Sequence, residues 1–401
     1  MRRLLTALIA VAAVTGCTGT FTPPLPTLYL VFLEADGGEP ARVALLDFVV
    51  TASERRLDVL TANAYTFDPG ETLIAIDVMD RIERQEVWVL TAAGPASRAL
   101  TLHRLDLRSL PDVPGTVLRR IGDPLPLTDA DGAWNDEAFS SATGVPTGCL
   151  AGLVVAPAGD AAALWDAGAG ARCGAVADAP DPRVHLLDLE ARTVAEPIAE
   201  ARAPGIRAGD PELGRGDRLL LVRRPTAVDP DTVRVAEFTF DDANPPPAQA
   251  GTDIERFLDV AGVPGGFAAL RRVDGGTGRE VVVHTRAGEE PAVRAMPDNA
   301  ERLFVDDSGA LSTLLTTGGG RIGVTYPDEA EPREISFTAS DLTVDPLNAY
   351  ALAVRPRGVC VVDLLVPSSA PSCDLTVEAV VREALAGARF VTWTFAEPSL
   401  P

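Results

Sequence analysis

Lysine is absent: all 35 basic residues of the 401-residue chain are arginines. That excludes Schiff-base chemistry and the phosphate-binding lysine of a P-loop. Histidine occurs three times, at His103, His185 and His284, which leaves little for a histidine-rich metal site. Aromatic residues are 5% of the chain, too few for the stacking faces on which sugar sites depend. Positive charge is outnumbered, 35 against 57 acidic residues, for a net charge of −22. Phosphate backbones and anionic lipid surfaces both need clustered positive charge, so neither is an expected partner. There is no GxSxG elbow, no HExxH and no glycine-rich phosphate loop opening a helix. What is abundant is apolar residues, at 46%, interrupted by 35 glycines and 33 prolines. That composition belongs to a folded body with many turns, not to a disordered chain.

The first residues read as an export signal. Arg2 and Arg3 precede an apolar run from Leu4 to Val14, which is too short for a bilayer core needing about 20 residues. Val14, Thr15, Gly16 and Cys17 follow as aliphatic, small, small, cysteine. This resembles the lipobox of bacterial lipoproteins. The resemblance implies cleavage after residue 16, acylation of Cys17 and a permanent membrane anchor, since several acyl chains at about 0.8 kcal/mol per methylene hold firmly. Removing Arg2 and Arg3 takes the net charge from −22 to −24. Thr18 follows the cysteine where an Asp would, by the same resemblance, request retention at an inner membrane. The expectation is an extracytoplasmic protein of the cell envelope, at the outer membrane where the organism has one. Residues 17–27 form a lipidated linker, and the ten from Thr18 reach at most about 33 Å. The folded body runs from 28 to 401.

Four cysteines remain: Cys149, Cys173, Cys360 and Cys373. An even number in an exported chain argues for two disulfides. Three connectivities are possible; proximity in sequence favours Cys149 with Cys173 and Cys360 with Cys373. No pair has the CxxC spacing of a zinc or redox site, and no cofactor or metal is expected.

The body alternates short β-branched runs with Gly, Pro and Asp turns. Helical periodicity is confined to one short candidate, Val377 to Ala388. One motif recurs, two aliphatics at the ends of a four-residue stretch, then Asp, then Leu or Phe: Val43–Phe48, Leu102–Leu107, Val184–Leu189 and Val359–Leu364. A second is a turn ahead of an apolar strand, as at Pro157-Ala158-Gly159, Pro264-Gly265-Gly266, Asp307-Ser308-Gly309 and Pro346-Leu347-Asn348. These repeats resemble the YVTN and WD40-like units of bacterial exported β-propellers. Strand sets fall near 72–121, 150–200, 205–250, 256–296, 302–339 and 341–380. The N-terminal piece adds three strands and residues 389–395 a fourth, which predicts an all-β, seven-bladed propeller whose ring is closed by terminal strands sharing one blade. A pair of stacked β-sandwiches is the alternative.

Residues 123–147 read as an insertion between blades, without clear strands. It carries Asp129, Asp131, Trp134, Asp136 and Glu137, an acidic stretch around an aromatic expected to be exposed as a partner contact. Clustered carboxylates would also suit a cation, but Leu127 stands where an EF-hand has its first Asp. The three histidines fall in third strands of blades, and Asp47, Asp106, Asp188 and Asp363 repeat with them, which points to structural roles. The functional expectation is a noncatalytic binding or scaffold propeller with an envelope protein as partner. The alternatives are a hydrolase resembling the YVTN-type lactonases and a small-ligand or cation binder.

Overall fold

Every apolar strand of this chain has two faces to bury, and the architecture supplies a neighbour for each. The computed structural model describes residues 27–395 apart from 37, 51–54, 82–83, 107–117, 140–149, 157–158, 167–182, 196, 200, 208–217, 224–231, 240–250, 264–265, 285–289, 307–312, 327–330, 345–349, 356–357 and 365–384. The signal segment, Cys17, Cys149, Cys173, Cys373, most of the turn motifs and the helix candidate from Val377 to residue 384 lie outside the described residues.

The strands group into seven antiparallel sheets, the blades. Blade 1 holds β1 (Thr27–Leu33), β2 (Arg42–Val50) and β3 (Arg55–Thr66), and blade 2 holds β4 (Thr72–Arg81), β5 (Arg84–Ala92), β6 (Leu100–Asp106), β7 (Arg119–Arg120) and β8 (Leu125–Pro126). Blade 3 comprises β9 (Leu150–Val155), β10 (Ala161–Asp166), β11 (Arg183–Asp188), β12 (Thr193–Val194) and β13 (Ile198–Ala199). Blade 4 comprises β14 (Ala201–Arg207), β15 (Arg218–Arg223), β16 (Val233–Thr239) and β17 (Thr252–Ile254). Blade 5 follows with β18 (Phe257–Val263), β19 (Gly266–Arg272), β20 (Arg279–His284) and β21 (Ala292–Met296). Blade 6 has β22 (Arg302–Asp306), β23 (Thr313–Gly318), β24 (Arg321–Thr325) and β25 (Arg333–Ser336). Blade 7 has β26 (Asp341–Val344), β27 (Tyr350–Arg355) and β28 (Gly358–Asp363). The last strand, β29 (Ala388–Phe395), pairs with β1, so that blade 1 runs β29-β1-β2-β3. The chain is an all-β, seven-bladed propeller, and its N- and C-terminal strands share one blade.

The closure is built by register. β29 pairs antiparallel with β1 from Thr27↔Phe395 to Leu33↔Ala388, and the Glu34 amide continues the ladder to the Gly387 carbonyl at 2.9 Å. Arg389 forms an ion pair with Glu34 across the same junction. First strands meet around the ring, β4 against β9, β9 against β14, β14 against β18, β18 against β22, and β26 against β29. They are the innermost strands of their blades.

The core lies between the blades. On β1 and β2, Leu30, Phe32, Val43 and Leu45 face Val87 and Val89 of blade 2. The alternate residues Val31, Leu33, Ala44 and Leu46 face Leu352, Val354, Val359 and Val361 of blade 7. The period-2 alternation of a strand thus sends successive side chains to different neighbours. Seven such clusters, one for each gap, complete the circle. A blade removed from the ring would expose apolar surface on both faces, which explains why short strands of only five to seven residues are stable here. Close approach is enforced locally: a Cβ on Gly152 would stand 1.8 Å from Trp165 Cε2, its cross-strand partner. The tight turn before β10 survives in Gly159, whose φ of 74° suits glycine.

Candidate functional site

A carboxylate series ties the inner strands together. β9, β22 and β29 each have a sheet neighbour on one side only, so N–H groups on the other side need acceptors. Asp77 on β4 accepts from the Val155 amide of β9 at 2.6 Å, and Asp259 on β18 accepts from the Leu303 amide of β22 at 2.8 Å. Asp341 on β26 accepts from the Val391 amide of β29 at 3.0 Å. In every case the carboxylate belongs to one blade and the amide to the next. Glu34, which follows β1, does the same for Leu73 of β4 at 3.3 Å. Burial raises the Asp77 carboxyl to about 7 against the pull of its bonds from Val155 and Val78. Burial likewise lifts Asp341 to about 6. The sequence motif built on third-strand aspartates does not contain these residues. Their signal was an Asp inside an aliphatic run of a first strand, Ile76-Asp77-Val78 and Leu258-Asp259-Val260.

Of the third-strand aspartates, Asp188 acts more locally. Asp188 Oδ1 accepts from the amides of Glu190 and Ala191 at 3.0 and 2.6 Å, holding the turn after β11. Asp363 is buried at the end of β28.

Blade 2 contains a hydroxyl, an imidazole and a carboxylate in mutual contact. His103 Nε2 lies 2.9 Å from Glu71 Oε1 and 3.1 Å from Thr91 Oγ1, and Thr91 donates to the same Glu71 oxygen at 2.7 Å. A nucleophilic relay needs the acid on one ring nitrogen and the hydroxyl on the other, so that the ring passes a proton between them. Here both groups meet Nε2, while Nδ1 has no partner among the described residues. All three side chains are buried, and Phe67 packs its ring edge-on to His103. Burial pushes the Glu71 carboxyl up, but the bonds from His103 and Thr91 outweigh it and hold the group below the usual carboxylate range. The arrangement pins the chain entering β4, held further by the Asp68 amide donating to Glu71 at 3.0 Å, to the middle strands of its blade.

His185 occupies the matching place on β11 of blade 3, and His284 lies on β20 of blade 5, stacked on Phe267 with ring centroids 4.7 Å apart. The three imidazoles stand in three different blades. Burial holds both His185 and His284 below the ordinary imidazole range, His185 at about 4.

Residues 123–139 of the insertion hold more regular structure than their sequence implied. β8 pairs with β6, Thr128 bridges to Trp134, and the segment is defined through Phe139. Asp129 Oδ1 accepts from the amides of Asp131 and Ala133, each at 2.9 Å, and Asn135 Oδ1 accepts from Glu137 at 3.0 Å. The expectation that Trp134 is an exposed contact is corrected: it is 5% exposed, and with Leu127 and Phe139 it fills the gap between blades 2 and 3. A large apolar ring beside an open inter-blade seam gains more by entering it than by facing water. Asp129, Asp131, Asp136 and Glu137 remain exposed around it. The sequence places these five residues together, and the structure keeps them together, with the acidic groups outward and the aromatic inward. Among the described residues no group of three or more His, Cys, Asp or Glu side chains converges to hold a metal ion. Nor, among them, is any helix long and apolar enough to cross a membrane.

No protein-family model matches the chain, and no curated protein matches it in sequence. Solved structures resemble it distantly. AztD of Citrobacter koseri is 14% identical, over 87% of this chain and 84% of that one, with a TM-score of 0.44. Hsv2 of Kluyveromyces lactis is 11% identical, over 73% and 74%, with a TM-score of 0.42. An oligogalacturonate lyase of Vibrio parahaemolyticus is 11% identical, over 81% and 87%, with a TM-score of 0.43. The likeness is one of fold.

Proposed function

We propose that this chain is an exported, lipid-anchored propeller that binds an envelope protein and catalyses no reaction. The observation that carries the noncatalytic part is the wiring of His103. The hydroxyl–imidazole–carboxylate array of blade 2 is closed on a single ring nitrogen and buried. A lactonase-like centre would need histidines and acids gathered at one mouth of the ring, whereas His103, His185 and His284 lie on third strands, set back from the innermost ones, and His103 and His185 are buried. The anchored part rests on Val14-Thr15-Gly16-Cys17. The pairing of Cys360 with Cys373 belongs to the same reading; that Cys360 is disulfide-bonded supports it, and suits an oxidising compartment. The binding part rests on the fold, since loops from several blades form a broad platform. The fold alone assigns no partner.

The test is crosslinking of intact cells expressing the native gene with a C-terminal tag, followed by identification of what copurifies, with Cys17→Ser as control. One protein recovered reproducibly with the wild type, and at least several-fold less with Cys17→Ser, is the expected result. Recovery of nothing, or hydrolysis of a lactone by the purified chain, would overturn the proposal.

A further inference from the structure

We infer that residues 127–139 form an acid-released cover over the seam between blades 2 and 3, latched by the neutral ring of His185. The segment is a compact hairpin. Its amides bond within it, Asp129 to Ala133 at 2.9 Å, Asn135 to Leu127 at 3.0 Å and Phe139 to Asn135 at 2.8 Å. Its base is fixed to blade 2, where the Leu127 amide donates to Leu100 at 2.8 Å and Thr128 Oγ1 donates to the Arg98 carbonyl at 2.6 Å. Toward blade 3 it presents Trp134, whose ring meets His185 edge-on at 5.4 Å between centroids, with Leu164 and Leu187 in the same cluster. A unit bonded to itself and fixed to blade 2 through Leu127 and Thr128 can lift without breaking its own structure.

His185 is 2% exposed, and neither ring nitrogen has a hydrogen-bond partner among the described residues. An imidazolium there would be a buried, unpaired charge. Among the described residues the charged groups around it do not relieve it, and on blade 2 Glu86 is taken by Arg104. Arg183 on the same strand repels a positive ring, and Asp188 holds its own turn. Asp77 on β4 is engaged by the Val155 and Val78 amides, while in the cover Asp129 is engaged by its turn and Asp131, Asp136 and Glu137 point to solvent. Protonation therefore favours any state in which the ring reaches water, and lifting the cover is the smallest such change. Trp134, Leu127 and Phe139 would then face outward.

The size of the effect follows from linkage. The ring titrates at about 4 under the cover and near the ordinary ~6.5 when hydrated. The open fraction then rises roughly 30-fold between pH 7.5 and pH 5. The release needs no partner, so its failure would leave the binding proposal standing, and the absence of a partner would leave the release standing.

The experiment is amide hydrogen exchange on the full-length chain in detergent at pH 7.5, 6 and 5, corrected for intrinsic exchange rates. Peptides spanning 127–139 should open roughly 30-fold more at pH 5 than at pH 7.5, while those from β5 and β10 hold their protection. Asp136→Asn with Glu137→Gln, both exposed, should retain the acid step, and His185→Leu should abolish it with the cover still protected. A flat profile in the wild type overturns the inference. So does an acid step lost in the Asp136/Glu137 variant, or one that survives in His185→Leu.

Discussion

Replacing Asp77 by asparagine tests whether the carboxylates between inner strands work as the structure indicates. The Asp77→Asn side chain keeps one oxygen for an amide and stays neutral at every pH, whereas the wild-type carboxyl titrates at about 7 in the folded chain and near ~3.9 when unfolded. Because the folded value is the higher one, the folded state holds the proton more tightly. Unfolding free energy from this group is therefore lowest above pH 7 and rises as pH falls from 7 toward 4. The slope is about 1.4 kcal/mol per pH unit, so wild type should gain about 2.5 kcal/mol over Asp77→Asn between pH 8 and pH 5. His185 pulls the other way over part of this range, but it is present in both proteins and cancels in the difference. The assay is urea unfolding at pH 5, 6, 7 and 8, followed by fluorescence. Trp88 on β5 and Trp165 on β10 report on the two blades that the Asp77–Val155 bond joins. A stability difference that stays constant over those four pH values would refute the reasoning, since it would mean that Asp77 is ionised in the fold throughout.

Two further outcomes follow from packing and wiring. Gly152→Ala places a methyl 1.8 Å from the Trp165 ring and should lower unfolding free energy by about 1–3 kcal/mol in the same assay; an unchanged midpoint would mean that the ring moves aside freely. Glu71→Ala removes the acceptor of the Asp68 amide and leaves His103 Nε2 and the Thr91 hydroxyl only each other and the Thr101 carbonyl, and it should cost about 1–3 kcal/mol, the usual effect of removing one partner of a buried polar group. Partner recovery per folded molecule should be unaffected by it, because the array is buried; a selective loss of binding by a fully folded variant would give it a functional role instead.

The architecture was legible because it is written in local chemistry. Aliphatic runs of five to seven residues between turn residues define the strands, and a repeated Asp at the end of third strands fixes the phase of the unit. The count of three strands before blade 2 and one after blade 7 specified the shared blade, which the β29-β1 pairing realises. The inner-strand carboxylates were harder to see. Asp77, Asp259 and Asp341 sit at different offsets in strands that are otherwise unlike, and what they share is an amide donor on the next blade, 78, 44 and 50 residues away respectively. Trp134 was misplaced for a related reason. Its neighbours Asp131, Asp136 and Glu137 are acidic and solvated, so the segment reads as exposed, while the seam that receives the ring is made by Leu100 and Leu102 on one side and Leu153 and Leu164 on the other.

Strand content, the repeating unit and the number of blades can all be read along the chain, since each depends on residues close together in sequence: alternation and turn preference. Which polar groups are structural, and which side of the insertion faces water, emerged with the assembled ring. Both depend on burial, and in a ring where each blade completes its neighbour's core, burial is a property of pairs of blades. The same ring decides the charge states of Asp77 and His185, whose titration is set by the desolvation that closing the seam imposes on them.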